Sequence, residues 1–372
     1  MTVAPPVRTR ITKLLKCRYP ILLPGMSWIS KPELVAAVSN AGGVGILATG
    51  PLSPEETRQS IRRIRQLTDK TFGIGVTLLM PGAKENAQVA LEEQVPLVNI
   101  SLGKDQWISD AVHSYGGTVL ATVTNRQHAH AALEAGADAL MVTGYEAAAH
   151  GSDVGNIALI PSLSQHFPDV PLVAAGGFAN GAGLSAALSL GADAVAMGSR
   201  FAVSNESTLS QSAKEAICAS TESDTVYGSN FDGISARVLK TPLSDQLMAR
   251  PPLPPVVAWR ALQAARDFSI PLWKVLPGLL TQWDKLFAVA QFGAATKFLE
   301  TATIDGDLER GIQFVGQSQG LIHDVASIDA IVQQVMKEAA KASLKTATYF
   351  EDQRNTEEDD SGSDDFLNGG FQ

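Results

Sequence analysis

Several features are scarce in this sequence, and each absence excludes a class of protein. The 372 residues include two cysteines, Cys17 and Cys218, too few and too far apart for a disulfide framework or a cysteine-based metal cluster. They are predicted to be buried structural thiols. No stretch approaches the ~18 consecutive apolar residues of a membrane-spanning helix, and residues 1–20 lack the continuous apolar core of a signal peptide. We therefore expect a soluble, cytoplasmic protein that has no membrane span.

Positive charge is also scarce. There are 29 Lys and Arg residues against 38 Asp and Glu residues, and the formal net charge is −9. Nucleic-acid binding depends on a concentrated basic surface, so nucleic acid is not an expected partner. Much of the acidic excess lies in residues 351–372. This composition cannot bury enough apolar surface to fold, and it predicts a disordered tail.

Common ligand-binding motifs are missing as well. No GxGxxG sequence follows the first apolar run, and no GxxxxGK[ST] sequence occurs, so neither a Rossmann dinucleotide site nor a P-loop is predicted. The sequence also contains no HExxH or CxxC motif. A dedicated metal site is therefore not expected.

What the sequence does contain is a repeated unit between Pro20 and Phe201. A short, continuously apolar run is followed each time by an amphipathic stretch rich in Ala and Leu. The predicted strands are 20–26, 43–50, 72–79, 97–103, 118–123, 139–146, 171–178 and 194–201. Continuous apolar strands are typical of a parallel sheet that is buried on both faces. Eight such units favour a closed (β/α)8 TIM barrel, and an open doubly wound sheet is the competing interpretation.

Helix signals stand between these strands. Ser30 is a predicted N-cap that is followed by Pro32 in the first turn, and Gly42 lies past the predicted end of that helix. Ser53 is a predicted N-cap of the next helix, with Glu56 at the capping-box position. These signals support the strand–helix alternation.

The repeat ends after the eighth strand, and the sequence divides there. Residues 1–204 are predicted to form the barrel, and residues 205–330, in which no strand alternation is visible, a helical substrate or lid domain. Residues 331–350 are predicted to form a C-terminal helix before the acidic tail of 351–372. The apolar stretch 270–293 either packs a lid against the barrel or forms a membrane-surface or partner helix.

Function in a TIM barrel lies at the carboxyl ends of the strands, and this rule selects one histidine. His150 falls in a loop just past the sixth strand. Asp138 and Asp193 precede strands and are therefore interpreted as structural. The other histidines lie in predicted helical segments: His113, His128, His130, His166 and His323. His150 is thus the candidate catalytic acid or base, although a lone histidine is more often a structural residue.

Glycines supply a second signal at the same end of the barrel. The seventh strand ends with Gly176 and Gly177, and the eighth ends with Gly198 and Ser199. The loops after strands seven and eight bind phosphate in many barrels. Glycine lets a backbone approach closely, and backbone N–H groups complement negative charge. The pattern predicts a ligand that carries a phosphate group.

Four segments carry a resemblance to a known family. They are PILLPGMSWISKPELVAAVSNAGGVGIL, GYEAAAHG, PLVAAGGFANGAGLSAALSLGADAVAMGSRF and GDLERGIQFVGQSQGLI. In these segments the sequence resembles the nitronate monooxygenase (2-nitropropane dioxygenase) family. It is also similar to FMN-dependent NADH:quinone reductases and to the type II enoyl-acyl-carrier-protein reductase. The resemblance implies an FMN-binding barrel with a helical substrate domain.

The resemblance also implies roles for individual residues. His150 matches the family's catalytic histidine. The residues implied to bind FMN are Gly176, Gly177, Gly198 and Ser199 at its phosphate, Gly25 and Met26 against its ring, and Thr77 beside the ring. Thr122 joins this set because it stands where some relatives carry a Lys.

Three further positions depart from the family pattern. Ala148 and Ala149 precede His150 where relatives often have Gly, and Gly75 stands where relatives carry an Asn. With Thr122, these departures bear on the reaction more than on FMN binding.

The expected reaction is oxidation of alkyl nitronates with O2 by an FMN-dependent nitronate monooxygenase. Two alternatives are an NAD(P)H-dependent quinone or enoyl-thioester reductase and a non-catalytic protein that binds FMN or another phosphate-bearing ligand. The expected partners are a small-molecule substrate and O2 or NAD(P)H, and a homodimer is left open as the assembly.

Overall fold

Eight parallel strands form the centre of the structure. The computed structural model describes residues 4–231, 233–250 and 295–360. The strands are β1 (Ile21–Leu23), β2 (Val44–Ala48), β3 (Phe72–Thr77), β4 (Leu97–Ser101), β5 (Thr118–Val123), β6 (Ala139–Thr143), β7 (Leu172–Ala175) and β8 (Ala194–Ala196). Each strand pairs in parallel with the next, and β8 pairs with β1 through Leu22 and Ala196. The barrel is closed, which confirms the predicted (β/α)8 fold and excludes an open sheet.

Helices follow the strands around the outside of the barrel. They are α2 (Pro32–Asn40), α3 (Pro54–Leu67), α4 (Ala83–Glu92), α5 (Gln106–Ser114), α6 (Arg126–Glu134), α7 (Asn156–His166) and α8 (Gly181–Ser189). Helix α1 (Arg10–Leu14) precedes β1. Beyond the barrel come α9 (Ser199–Ala202), α10 (Gln211–Ala219), α11 (Pro242–Ala249) and the terminal helix α12 (Ile328–Asp360).

Apolar side chains fill both sides of the barrel wall, which explains the continuous apolar runs. Leu22, Ile46 and Met141 belong to the cluster inside the barrel. Ile11 of α1 and Leu15, the residue that caps this helix, belong to the same cluster. Outward-facing side chains form a second cluster beneath the surrounding helices. A barrel packed in this way is a solid core, so ligands are expected at its ends.

One of the two predicted helix caps is confirmed. Ser53 caps α3 in a capping box with Glu56. The prediction that Ser30 caps α2 was wrong, because the capping residue is Lys31, which makes no side-chain cap bond. The Ser30 hydroxyl instead accepts from Met26 N at 3.0 Å and donates to Pro24 O at 2.8 Å. Ser30 therefore fixes the turn that follows β1.

The segment after the barrel contains a β-hairpin that the helical expectation for residues 205–330 did not include. Strands β9 (Thr225–Gly228) and β10 (Ala236–Leu239) are antiparallel. Each has four residues, too short for strand alternation to stand out in the sequence. The apolar stretch 270–293 lies outside the described residues, so its two interpretations stay predictions.

The terminal helix α12 is longer than the predicted 331–350. It packs along α8 and also contacts α2. Its last residues, 351–360, belong to the tail that we expected to be disordered, and residues 361–372 lie outside the described part of the chain. Among the helices described, none is both long enough and apolar enough to cross a membrane.

Candidate active site

The predicted site residues all lie at one end of the barrel. Gly25 and Met26 follow β1, Thr77 ends β3, and Thr122 lies next to the last residue of β5. His150 lies in the loop after β6. The remaining predicted residues are Gly176 and Gly177 after β7, and Gly198 and Ser199 after β8. Closure of the barrel brings these separate segments to a common mouth.

Small residues line part of this mouth. A Cβ atom placed on Gly25 would lie 3.5 Å from Leu47 O and 3.7 Å from the Cα of Gly75. Gly75 also pairs with Ala48 of β2. Ala175 and Ala196 are the last residues of β7 and β8. The surface here is mostly backbone, which suits close contact with a flat ring system.

Polar residues line the part of the mouth formed by β3 to β5. Asn99 pairs with Gly75 across the strands, and its side-chain amide donates to Leu120 O at 3.0 Å and to Thr122 Oγ1 at 3.1 Å. The hydroxyl groups of Thr77 and Ser101 are 3.1 Å apart. Asn99 was missed from the sequence, although a lone amide within the apolar run LVNIS was a signal. It places an amide beside Gly75, the position where relatives carry an Asn.

Free backbone amides lie at the ends of β7 and β8. Gly176 and Gly177 have φ values of +97° and +84°, a conformation that favours glycine. Within the described part of the chain, no hydrogen bond is made by the amides of Gly176, Gly177, Gly198 or Ser199. Because β7 and β8 are neighbours in the barrel, these unpaired donors form a cradle of the kind that suits an anion.

Side chains hold this cradle in place. The Asn156 amide donates to Ala175 O at 2.9 Å and to Gly176 O at 2.7 Å, which fixes the turn after β7. The Glu146 carboxylate accepts from Asn156 N at 3.0 Å. Ser199 is buried, and its hydroxyl accepts from Gly316 N at 3.0 Å. That bond leaves the Ser199 hydroxyl proton able to donate.

His150 lies where the strand pattern predicted it. Its ring is half-buried and meets the ring of Phe314 edge-on, with centroids 5.9 Å apart. The residue before it, Ala149, has a φ of +54° and forms a backbone bridge with β10. The hairpin that the sequence did not reveal therefore contacts the loop of the candidate catalytic residue.

The residues interpreted as structural have structural contacts. Asp138 accepts from Val119 N at 2.7 Å and lies 2.9 Å from His113 Nε2. Asp193 accepts from Leu172 N at 3.0 Å and pairs with Arg10. Both carboxylates tie strand starts to neighbouring segments, at the end of the barrel opposite to the mouth.

The two cysteines are not among the predicted site residues. Cys17 packs beside α1 at the opposite end of the barrel, and both thiols are half-buried. Burial raises the pKa of Cys17 to about 12, so its thiol stays protonated at neutral pH and is a poor nucleophile. This agrees with a structural role for Cys17.

Comparisons with known proteins give the chain its family. The sequence model of the nitronate monooxygenase family matches residues 8–338. The chain is 31% identical over 346 residues to the (3aS,4S,5R,7aS)-5-hydroxy-7a-methyl-1-oxo-octahydro-1H-indene-4-carboxyl-CoA dehydrogenase of Rhodococcus jostii, a match that covers 90% of this chain and 96% of that protein. It is 31% identical over 276 residues to a probable nitronate monooxygenase of Staphylococcus saprophyticus, covering 62% of this chain and 78% of that protein.

A solved structure agrees with these matches. FabK from Thermotoga maritima superposes with a TM-score of 0.75 at 34% identity, covering 92% of this chain and 99% of that one. The closed barrel and the sequence matches thus point in the same direction. This chain belongs to the nitronate monooxygenase family of oxidoreductases.

Proposed function

We propose that the protein is an FMN-dependent oxidoreductase whose cofactor binds at the mouth of the barrel. The observation that carries the proposal is the set of unpaired amides of Gly176, Gly177, Gly198 and Ser199 at two adjacent strand ends. A phosphate group would satisfy these donors. FMN is preferred to FAD because the sequence has no dinucleotide-binding loop to hold an adenosine half.

The rest of the mouth fits the flavin ring. Gly25, Met26 and Gly75 present a surface of backbone and thioether against which a flat ring can lie, and Thr77 and Thr122 offer hydroxyl groups at its edge. No lysine side chain is among the polar contacts of β3 to β5 described above. When bound, the flavin takes electrons from the substrate and passes them to an acceptor.

We propose that His150 moves the proton in this reaction. A neutral imidazole can remove a proton from the substrate carbon, and an imidazolium can return one. The β6–α7 loop places His150 at the mouth, and Phe314 supports one edge of its ring.

The first candidate substrate is an alkyl nitronate, with O2 as the electron acceptor. The resemblance of the GYEAAAHG segment and the match to the nitronate monooxygenase family support it. In this reaction His150 would take the proton next to the nitro group of a neutral nitroalkane, a step that a pre-ionised nitronate does not need.

The second candidate is an NAD(P)H-dependent reaction on an acyl thioester. Coverage favours it, because the relative named as an indene-carboxyl-CoA dehydrogenase is matched over 96% of its length, against 78% for the relative named as a probable nitronate monooxygenase. Here His150 would protonate or deprotonate the carbon next to the thioester carbonyl. A quinone reductase remains a third expectation from the sequence.

An anaerobic titration separates these candidates. The purified protein should show the yellow colour of bound FMN, identified by mass after release. Bleaching by propyl-2-nitronate supports the oxygenase, whereas bleaching by NADH or NADPH and recovery of colour with crotonyl-CoA supports the thioester reductase. A colourless protein that gains no flavin absorbance with added FMN would refute the proposal and favour a non-catalytic binder of another phosphate-bearing ligand.

Other expectations stay predictions. They are a cytoplasmic location, a small-molecule substrate with O2 or NAD(P)H, no nucleic-acid partner, and a homodimer as one assembly. They are tested by fractionation of cells and by light scattering of the purified holoprotein.

A further inference from the structure

Arg237 is a buried cation on β10, the strand that contacts the His150 loop. Its side chain is 3% exposed. Nε and Nη2 donate to the backbone oxygen of Tyr145 at 3.1 and 2.9 Å, and Nη1 donates to Thr225 Oγ1 at 2.8 Å. The guanidinium carbon lies 4.4 Å from the ring centre of Tyr145 and 5.1 Å from that of Tyr227. In the part of the chain that the structure describes, its side-chain hydrogen bonds reach no carboxylate.

Stability alone does not account for an arginine at this position. Burial of a cation without a counter-charge is unfavourable, and an apolar side chain could fill the same space without that penalty. The planar guanidinium offers what an apolar side chain lacks, because it stacks between two rings and donates in fixed directions. Its donors hold the carbonyl of Tyr145 in one orientation.

The backbone of the same residue holds Ala149. Arg237 N donates to Ala149 O at 3.0 Å, and Ala149 N donates to Arg237 O at 3.1 Å. With a φ of +54°, Ala149 is in the left-handed region that a residue with a Cβ atom disfavours. Such a conformation persists only where its surroundings enforce it. Arg237 thus holds both ends of the segment 145–149, and the next residue is His150.

We infer that Arg237 is a positioning residue, which holds the segment 145–149 so that His150 faces the substrate in the geometry for proton transfer. The inference rests on the proposed role of His150 and assigns Arg237 no contact with the reacting atoms. Proton transfer needs a heavy-atom distance of about 2.6–3.2 Å, and a misplacement of about 1 Å can slow a reaction about 100-fold. Loss of the guanidinium is expected to slow turnover about 10- to 100-fold.

The test compares the holoenzyme with its Arg237→Met, Arg237→Lys and His150→Ala variants and with the double variant His150→Ala/Arg237→Met. The rate is flavin reduction by 2-nitropropane, or turnover of NADH with crotonyl-CoA if that pair is the one that cycles the flavin. Both Arg237 variants should lower kcat, while KM and the Kd of FMN change less than about threefold. Lysine should not rescue, because it lacks the planar fork.

The double variant decides whether Arg237 acts through His150. If it does, the double variant should be no slower than His150→Ala, because the two losses are then not additive. Lys214→Met is the matched control, since Lys214 is another buried cation that donates to backbone carbonyls, those of Ser204 and Ser207 at 2.7 and 2.9 Å. Its turnover per bound flavin should match that of the wild type.

A second measurement does not depend on activity. Diethyl pyrocarbonate modifies accessible histidines, and mass spectrometry gives the rate at each site. Arg237→Met should change the rate at His150 at least threefold and leave the rate at His166 unchanged. Three results would each overturn the inference while leaving the role of His150 intact. They are wild-type turnover per bound flavin in Arg237→Met, an unchanged modification rate at His150, and a double variant whose loss of turnover is the product of the two single losses. Wild-type turnover in His150→Ala would remove the proposed role of His150 and the inference with it.

Discussion

Two glycines of the proposed phosphate cradle should differ in how well they tolerate the same substitution. At Gly176 the φ of +97° is unfavourable for alanine, and the added Cβ would lie 2.8 Å from the backbone nitrogen and the Cβ of Ala147. At Gly198 the φ is −79°, which alanine tolerates. The added Cβ there would meet Met26 Sδ at 3.5 Å, an ordinary contact.

The expected magnitudes follow from these contacts. Gly176→Ala combines a left-handed backbone, about 1–2 kcal/mol, with overpacking of about 1–3 kcal/mol, so a loss of about 2–5 kcal/mol is expected. Gly198→Ala should change the free energy of unfolding by less than about 1 kcal/mol, because neither cause applies. Displacement of Ala147 in Gly176→Ala should also disturb the adjoining turn and weaken FMN binding.

Urea unfolding followed by tryptophan fluorescence gives both stabilities, and flavin fluorescence gives the Kd of FMN. The measurement should be made with and without added FMN, because a bound ligand raises apparent stability. Equal stability of the two variants would contradict the described backbone of the β7 turn. A strongly destabilised Gly198→Ala variant would contradict the ordinary contact expected between the added Cβ and Met26 Sδ.

Three further predictions follow from the site and the chain ends. His150→Ala should lower turnover by about 10²- to 10⁴-fold with FMN retained. The loss should be larger for 2-nitropropane than for propyl-2-nitronate, since only the neutral compound needs proton removal, and steady-state rates equal to wild type on both would exclude a role for His150. Cys17, with a pKa of about 12, should be almost unreactive towards iodoacetamide at pH 8 in the folded protein and reactive in urea. Rapid labelling of the native protein, measured by mass spectrometry, would contradict the burial of the Cys17 thiol. Deletion of 351–372 should leave Tm and flavin content unchanged, because the preceding side chains Leu344 and Phe350 are 70% and 64% exposed. A lower Tm or a lower flavin content would mean that the acidic tail docks on the folded protein.

The sequence by itself determined the barrel and the end at which the candidate site lies. Continuous apolar runs report burial on both faces of each strand, and eight of them in alternation with helices leave few other topologies. The position of His150 past β6 and of Gly176 and Gly198 past β7 and β8 is local information, readable from where each strand ends. FMN and the roles of single residues came from the family resemblance and are not tested by the fold.

The tertiary structure decided which groups meet. Asn99 lies opposite Gly75 because of the register between β3 and β4, and register is set by packing of the whole sheet. Ser30 was predicted to cap a helix, but it stabilises the turn after β1 because its hydroxyl is hydrogen-bonded to Pro24 O and Met26 N. Arg237 is far from His150 in the chain, and its four-residue strand carries too weak a pattern to be read locally. Contacts between distant segments depend on strand register and on the paths of the loops, which no local pattern encodes.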